Sequence, residues 1–565
     1  MKHLISRRNF LKAAGVTTAA VTMAVGAPAA SACWSGEKSE VTILYTNDVH
    51  TYIDKQAPQL TYAAIAALKK SYEDAGKKVL LVDAGDHVQG TAYGSMDEGA
   101  SIIQLMNAAG YDAATPGNHE FDYGMDRAKE LMRDADFPYL SCNWMDLRTG
   151  LRVLPSVKVF VRGGVRIAFV GITTPETITK STPAYFMNKA QNKYIYDILG
   201  GEDGQKLYSA VQKAIDKAKL AADVVIGLGH LGVDPSSSPW TSEDVIAHTT
   251  GFDAFIDGHS HTVMENKQVA DASGKLVTLT QTGSYFANVG EMTIAADGTI
   301  STRLVSTYDG VDSDVAGIQT AWVSAVDEML GEKIAVADTS FYVTDPATGK
   351  RRIRSGETNL GDFVADGIYS YFNEVEQLHC DIAIMNGGGI RADACLMSVT
   401  GKQIQDALEF AARFAGTGQE NGGFLQVAGA TYEIHTDIPN TVQTDEKNVW
   451  IGSATGTPRV QNVKIYDHQS GTYVPLDANK TYALAGMNYT LRNLGDGFAM
   501  FDGAELIKDY VSEDYLVMAT YAMSFGGVDG EGLPHLTTAN SPLADYPGYL
   551  LNYEDAYGAG RITIL

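Results

Sequence analysis

Basic residues are scarce in this 565-residue chain: 43 lysines and arginines face 68 aspartates and glutamates, a formal net charge of -25. A nucleic-acid polymer needs a basic footprint, so this balance excludes one as the expected partner, and any small anionic substrate has to be met by local cations. Proline is scarce beside glycine, 16 against 57, while 45% of residues are hydrophobic, which excludes a fibrous or disordered chain and describes a globular protein rich in turns. Cysteine is limited to four positions. Cys142 stands alone, whereas Cys380 and Cys395 flank a strand and a turn and form the pair that an oxidising compartment would allow to bridge. The sequence also lacks an internal repeat, a low-complexity tract and a membrane-spanning helix. It contains neither a Gly-x-Ser-x-Gly elbow nor a Walker loop, so catalysis built on those two devices is excluded.

What is present begins at the N-terminus. Ser6-Arg7-Arg8-Asn9-Phe10-Leu11-Lys12 precedes a weakly apolar stretch from Ala13 to Ala32 and resembles a twin-arginine export signal. Its removal at Ala30-Ser31-Ala32 takes away four positive charges and leaves a mature charge of -29. Cys33 follows directly, so lipid attachment there is a second reading beside simple cleavage. Either way the mature chain is expected in the periplasm, at the cell surface or secreted.

From Val41 to about Tyr308, short apolar runs alternate with polar turns and amphipathic segments. Val41–Tyr45, Val79–Val82, Ile167–Val170, Val224–Leu228 and Ala254–Ile256 read as strands buried on both faces, with helical patterns between them at Leu60–Tyr72 and Gln205–Ala222. This predicts a layered α/β domain over 41–310. Ile318, Trp322, Val326 and Leu330 recur at helical spacing and predict a connector within 311–335, with packing as the last helix of the first domain as the alternative. Helical and strand patterns resume over 336–565 as a second α/β unit. Two domains are also what the length suggests, since one hydrophobic core serves about 150–250 residues.

Four of these apolar runs, and the segment after Tyr111, end in groups able to bind a metal. The endings are Asp48-Val49-His50, Asp83-Ala84-Gly85-Asp86, Gly117-Asn118-His119-Glu120, Gly229-His230 and Gly258-His259-Ser260-His261. Carboxyl ends of strands in an open α/β sheet face the ligand crevice, so these termini can converge despite their separation in sequence. Singly each motif is weak; their ordered succession carries the reading. Asp48, His50, Asp86, Asn118, His230, His259 and His261 offer oxygen and imidazole donors without thiolate, which suits two divalent ions of the Zn, Mn or Fe kind, with one carboxylate bridging. A pair of cations about 3.5–4 Å apart lowers the pKa of water, neutralises phosphoryl oxygens and holds an in-line geometry, so phosphate-ester hydrolysis needs no covalent nucleophile here.

In order and character these motifs resemble the calcineurin-like metallophosphoesterase signature. The resemblance implies a four-layer α/β/β/α first domain, with one metal on Asp48, His50, Asp86 and His261 and a second on Asp86, Asn118, His230 and His259. It implies that His119 is catalytic, oriented by Asp122. The second region carries Arg354-Ser355-Gly356-Glu357, Asn386-Gly387-Gly388-Gly389-Ile390-Arg391, Gly422-Gly423-Phe424-Leu425-Gln426 and Gly495-Asp496-Gly497-Phe498. This set looks like the nucleotide-binding C-terminal domain of 5'-nucleotidases and UDP-sugar hydrolases. Carried over, Phe424 and Tyr489 sandwich a base, Asp496 accepts ribose hydroxyls, and Arg354, Asn386 and Arg391 lie near ribose or phosphate. The family has Asn-Phe before a Gly-Gly-Asp-Gly turn; here Asn488-Tyr489 is followed by one extra residue, and Leu494 replaces a glycine.

The function these readings imply is an exported 5'-nucleotidase-like phosphohydrolase. Its substrates would be nucleoside monophosphates, with nucleotide sugars and 2',3'-cyclic nucleotides as additional ones. The rivals are the same metal chemistry on a thiosulfate ester, and a nucleotide-binding surface protein whose catalysis has lapsed.

Overall fold

A computed structural model describes residues 38–565 apart from 57, 182, 189–192, 390–393 and 509–513. The export segment 1–32, Cys33 and Arg391 therefore lie outside the described residues. The chain divides into two compact units, the first running to Gly331 and the second from Glu332 to Leu565 together with Thr182–Ala184.

The first unit is built on two sheets. One has five strands in the order Ile300–Val305, Val289–Ile294, Val41–Thr46, Lys78–Asp83 and Ala113–Ala114; the other has six, in the order Val263–Ala270, Leu276–Thr282, Ala254–Ile256, Val224–His230, Val165–Thr173 and Val157–Arg162. Val41–Thr46 is buried along its whole length because alternate side chains serve two different layers. Val41, Ile43 and Tyr45 join Leu80 and Val82 against Ile167, Phe169, Ile226, Leu228 and Ile256 of the other sheet in one apolar cluster. Leu44, Val79 and Leu81 point the other way, onto Ile65 and Leu68 of the helix Tyr62–Asp74 and Ile102, Leu105 and Met106 of the helix Ala100–Ala109. On the far side Ala168, Val170, Ile172 and Val225 pack on Leu207, Val211 and Ile215 of the helix Gln205–Lys219. Helix, sheet, sheet, helix is thus the layer order, as the resemblance implied. The helix ends follow from local chemistry: Thr61 Oγ1 accepts the Ala64 N–H at the start of Tyr62–Asp74, satisfying a donor the helix itself cannot.

The helix Ser313–Leu330, read as a connector, packs within the first unit. Val315 is buried with the helix layer, Ile318 and Trp322 lie against it, and Val326 is covered with Met96. Its apolar stripe finds partners on Tyr62–Asp74 and Ala100–Ala109, so it adds to the helix layer of the first unit.

The second unit has a five-stranded sheet ordered Leu425–Ala428, Ile382–Asn386, Thr481–Met487, Ala394–Thr400 and Glu505–Lys508, and a four-stranded one ordered Thr472–Pro475, Val460–Asp467, Ala430–Ile434 and Ile562–Ile564. The helix Asn359–Ser370 covers one face of the first sheet and Gly401–Ala411 the other, Thr400 and Gln403 forming a capping box at the start of the latter. Cys380 belongs to the first of these cores and Cys395 to the second, on opposite faces of the sheet, so the two thiols, which the sequence allowed to pair, form no disulfide. Cys395 lies on the strand Ala394–Thr400 and faces the core under Gly401–Ala411, whereas Cys380 precedes the strand Ile382–Asn386 and sits in the core under Asn359–Ser370.

A buried ion network ties the last strand to the helix Asn359–Ser370. The Arg561 guanidinium donates to Asp366 Oδ2 at 2.9 Å and to the Val427 carbonyl at 2.9 Å, while Tyr549 and Tyr553 hydroxyls donate to the two Asp366 oxygens at 2.8 Å each. Glu357 accepts the backbone N–H groups of Arg561 and Ile562 at 3.0 and 2.6 Å. Burial outweighs the nearby guanidinium at Asp362 and pushes its carboxyl well above the usual range. Arg561→Met leaves these acids without their cation and is expected to destabilise the protein by about 3–5 kcal/mol, read as a lower midpoint in a urea unfolding titration.

Candidate functional site

The strand ends of the first unit are laced together by their backbones before any side chain is considered. Val41–Thr46 and Lys78–Asp83 run parallel and end level, Thr46 opposite Asp83, and the next sheet ends with Thr173 opposite His230. Beyond those ends, Asp48 N–H donates to the Gly85 carbonyl at 2.9 Å, His50 N–H to the Asp86 carbonyl at 3.0 Å, and Tyr285 N–H to the Asp48 carbonyl at 2.8 Å. To turn this sharply, five of the seven proposed ligand residues take a left-handed backbone: Asp48 at φ 50°, His50 at 47°, Asp86 at 60°, His259 at 78° and His261 at 55°. That conformation costs an L-residue roughly 1–2 kcal/mol, so its repetition at one place marks a site held by its surroundings.

The side chains so aimed form two groups of donors. Asp48, His50 and His261 make one and Asp86, His230 and His259 the other, with the donor atoms of each group within 4.8 Å of one another. Asp86 Oδ2 stands 3.0 Å from His230 Nε2 and 3.9 Å from His50 Nε2, facing both groups at once. Asp48 Oδ1 is 3.4 Å from His261 Nε2, and His50 Nε2 and His261 Nε2 approach to 3.1 Å. Asn118, the seventh residue, buries its carboxamide oxygen with no hydrogen-bond partner among the described residues. Oxygen and imidazole donors converging on shared points, one of them an orphaned carbonyl oxygen, fit a pair of divalent cations.

The imidazoles are already turned for that role. His50 Nδ1 donates to the Gln89 carbonyl at 2.9 Å and His230 Nδ1 to the Ala84 carbonyl at 2.7 Å, which leaves Nε2 of each as the lone-pair nitrogen. Burial pushes His50 down to about 3, so it is neutral at ordinary pH. At His230 burial acts the same way, but the carboxylates of Asp86 and then Asp48 outweigh it and raise the ring to about 10. Burial is the largest single influence on both carboxylates, yet they stay ionised below their usual range because His230 and His261 at Asp48, and His230, His119 and His50 at Asp86, together offset it. The pocket between them favours positive charge, and a divalent ion would bind there in exchange for the His230 proton.

His119 adjoins the donors without joining them. Its ring lies 5.2 Å from that of His50, its N–H donates to Asp86 Oδ1 at 2.8 Å, and its Nδ1 meets Asp122 Oδ2 at 2.6 Å. The His119 and Asp122 pair is therefore present as a hydrogen-bonded unit beside the donor cluster.

Several residues at this centre carried no role in the sequence reading. Asn47 donates to Asp48 Oδ2 at 2.6 Å and is itself held by the Thr282 N–H at 2.8 Å. Glu120 accepts the N–H groups of Asp86, His87 and Gly117 at 2.9, 2.8 and 2.6 Å, clamping two ligand loops together. Glu176 accepts from His259 Nε2 at 2.8 Å. Tyr285 packs its ring 5.4 Å from His261 and 5.7 Å from His50, and Tyr52 packs on it at 4.2 Å. Asn47 and Glu120 adjoin recognised motifs, which is a usable signal; Glu176 and Tyr285 have none.

In the second unit the structure brings most of the proposed substrate residues together. Asn386 Nδ2 donates to Asp496 Oδ2 at 3.0 Å, and the Asp496 N–H donates to the Tyr489 hydroxyl at 3.1 Å. The backbone of Arg354 accepts from Asn421 N–H at 3.1 Å, beside the turn that leads to Phe424. Phe424 differs from expectation: it is 1% exposed, with its ring in the apolar core, and offers no open stacking face. The strand Leu425–Ala428 begins one residue later, and the Phe424 carbonyl and amide are bound by Gly387 and Asn421, which fixes the residue inward. Arg391 lies outside the described residues.

Comparison with known proteins agrees with this geometry. Residues 41–263 match the family of calcineurin-like phosphoesterases, residues 393–503 that of the 5'-nucleotidase C-terminal domain, and residues 4–24 the twin-arginine translocation pathway signal sequence. The chain is 28% identical over 564 residues to the 5'-nucleotidase of Mus musculus, across 87% of this chain and 88% of the relative. It is 26% identical over 553 residues to the trifunctional nucleotide phosphoesterase protein YfkN of Bacillus subtilis, across 86% of this chain but only 34% of that relative's length. The solved 5'-nucleotidase precursor from Thermus thermophilus shares the fold, with a TM-score of 0.70 at 23% identity over 93% of this chain and 99% of that one. Fold, donor centre and family agree on a metal-dependent phosphoesterase. The chain is an exported hydrolase that combines a calcineurin-like phosphoesterase domain with a 5'-nucleotidase C-terminal domain, and it is similar to 5'-nucleotidases along most of its length.

Gly117 tests the crowding at the centre, because a Cβ there would stand 2.3 Å from Asp86 Oδ1 and 2.8 Å from His230 Cε1. Gly117→Ala is expected to lose bound metal in elemental analysis after dialysis. Gly317→Ala, where a Cβ on the helix Ser313–Leu330 meets nothing within 4 Å, keeps it.

Proposed function

We propose that this protein releases phosphate from nucleoside 5'-monophosphates outside the cytoplasm, with nucleotide sugars and 2',3'-cyclic nucleotides as further substrates. The observation that carries the reading is the pair of donor groups meeting at Asp86, with the His119 and Asp122 pair beside it. One ion is assigned to Asp48, His50, Asp86 and His261 and the other to Asp86, Asn118, His230 and His259. Zn, Mn or a similar ion suits this donor set. When bound, such a pair polarises phosphoryl oxygens and lowers the pKa of water.

The chain's own groups do the rest. Asp122 accepts the Nδ1–H of His119, fixing the ring and stabilising it when charged, so that Nε2 meets the negative charge on the phosphoryl group and leaving oxygen. The His119 N–H, donated to Asp86 Oδ1, restrains the rotation of the carboxylate that both ions would share. In the second unit Asp496 accepts ribose hydroxyls, Asn386 orients Asp496, Arg354 and Arg391 meet phosphate, and Tyr489 stacks on the base. Similarity to the mouse 5'-nucleotidase over most of both chains supports the nucleotide half of the reading. Cleavage after Ala32 would give a periplasmic or secreted form, and lipid on Cys33 a surface-held one.

His119→Ala is expected to lower kcat by about 10²–10⁴ with metal content unchanged, whereas Asp86→Ala loses metal and turnover together. Unchanged turnover in the first variant would remove His119 from the chemistry. Phosphate release from a panel of nucleoside monophosphates, nucleotide sugars, cyclic nucleotides and a thiosulfate ester, each with Zn, Mn, Mg and Co, tests the substrate. Fastest turnover on monophosphates is expected. A clear preference for the thiosulfate ester, or nucleotide binding without turnover by fully metallated protein, would overturn the proposal.

A further inference from the structure

His259 differs from His50 and His230 in what holds it. His50 and His230 are tied through Nδ1 to backbone carbonyls. His259 is tied through Nε2 to a carboxylate, Glu176 Oε2, at 2.8 Å. That carboxylate comes from another part of the fold, since Glu176 caps the short helix Thr177–Lys180 after the strand Val165–Thr173. It is buried, and the same oxygen also accepts the Ser237 hydroxyl at 2.7 Å. The backbone of Glu176 is fixed independently, its carbonyl accepting the N–H groups of Thr179 and Lys180 at 2.9 and 2.7 Å. Sequence distance separates the three side chains by 61 and 83 positions, so their meeting is not a local accident of one loop. His259 itself sits on a left-handed backbone at φ 78°.

We propose that Glu176, steadied by Ser237, is the positioning residue for His259 and thereby sets the affinity of the second metal. By accepting the Nε2 proton in a hydrogen bond it holds the tautomer in which Nδ1 carries the lone pair, and it makes that nitrogen a stronger donor. Nothing ties Glu176 to His50 or His261 among the described hydrogen bonds, so the effect falls on one ion only. The proposal rests on the assignment of His259 to the second ion.

The test is a titration of the chelator-stripped full mature chain with Zn²⁺ against a competing indicator, for wild type, Glu176→Ala, Glu176→Gln, Ser237→Ala and His259→Ala. Glu176→Ala is expected to weaken the second ion by about 10–100-fold and leave the first unchanged. Glu176→Gln, which keeps an acceptor without the charge, and Ser237→Ala should show smaller losses confined to the same ion. His259→Ala should lose the second ion. If Glu176→Ala binds both ions like wild type while His259→Ala loses one, the positioning role is overturned and the ligand assignment stands. If His259→Ala also keeps both, the assignment falls and the proposal with it. Equal weakening of both ions in Glu176→Ala, or a metal-free melting temperature lowered with both, would show a general loosening of the fold and also overturn it; in that case Glu176→Gln, nearly the same shape, distinguishes charge from packing.

Discussion

Two carboxylates held out of water at neighbouring strand ends set the terms for the first unit. Asp48 and Asp86 are buried, and burial by itself would protonate them. They remain ionised because positive charge is close at hand, with His230 foremost. A buried pair of anions survives only beside such a cation, so the surrounding groups arrange themselves around that requirement. The neutral His50 and the orphaned oxygen of Asn118 make the same point in different chemistry: both are donors suited to an ion and poorly suited to a dry apolar core.

Holding these donors demands unfavourable backbone, and the fold compensates with hydrogen bonds between segments. Five of the proposed ligand residues are left-handed, and the loops that carry them exchange backbone bonds at Asp48 with Gly85 and at His50 with Asp86. Glu120 fastens Gly117 to Asp86 and His87 through one carboxylate, and Asn47 links Asp48 to the Thr282 end of another strand. Side chains on rigid, cross-braced loops keep their positions better than side chains on a free turn. That bracing is what metal catalysis asks of a protein.

The second unit meets a different difficulty. Its turn before Asp496 is one residue longer than the family pattern and places a leucine where glycine is usual. The extra residue is absorbed by left-handed conformations at Leu494, Asp496 and Gly497, with φ 63°, 53° and 85°. A leucine there costs roughly 1–2 kcal/mol, yet the result returns the Asp496 amide to Tyr489 and its carboxylate to Asn386. Asn386, Tyr489 and Asp496 are thus hydrogen-bonded together across a turn longer than the family pattern.

The sequence by itself determined the layered α/β architecture and the seven donors of the centre. Buried parallel strands read as continuous apolar runs, and donor identity at their ends is a property of single residues. It also held His119 with Asp122, three positions apart on one turn, for the same local reason. Tertiary structure alone decided which nitrogen of each imidazole donates, because the partners are carbonyls and carboxylates from distant segments, Glu176 standing 83 residues from His259. It alone put Cys380 and Cys395 on opposite faces of a sheet, turned Phe424 into the core and packed Ser313–Leu330 onto the first unit. Those outcomes depend on register and on what covers a given face, and neither is written in the spacing of residues along the chain.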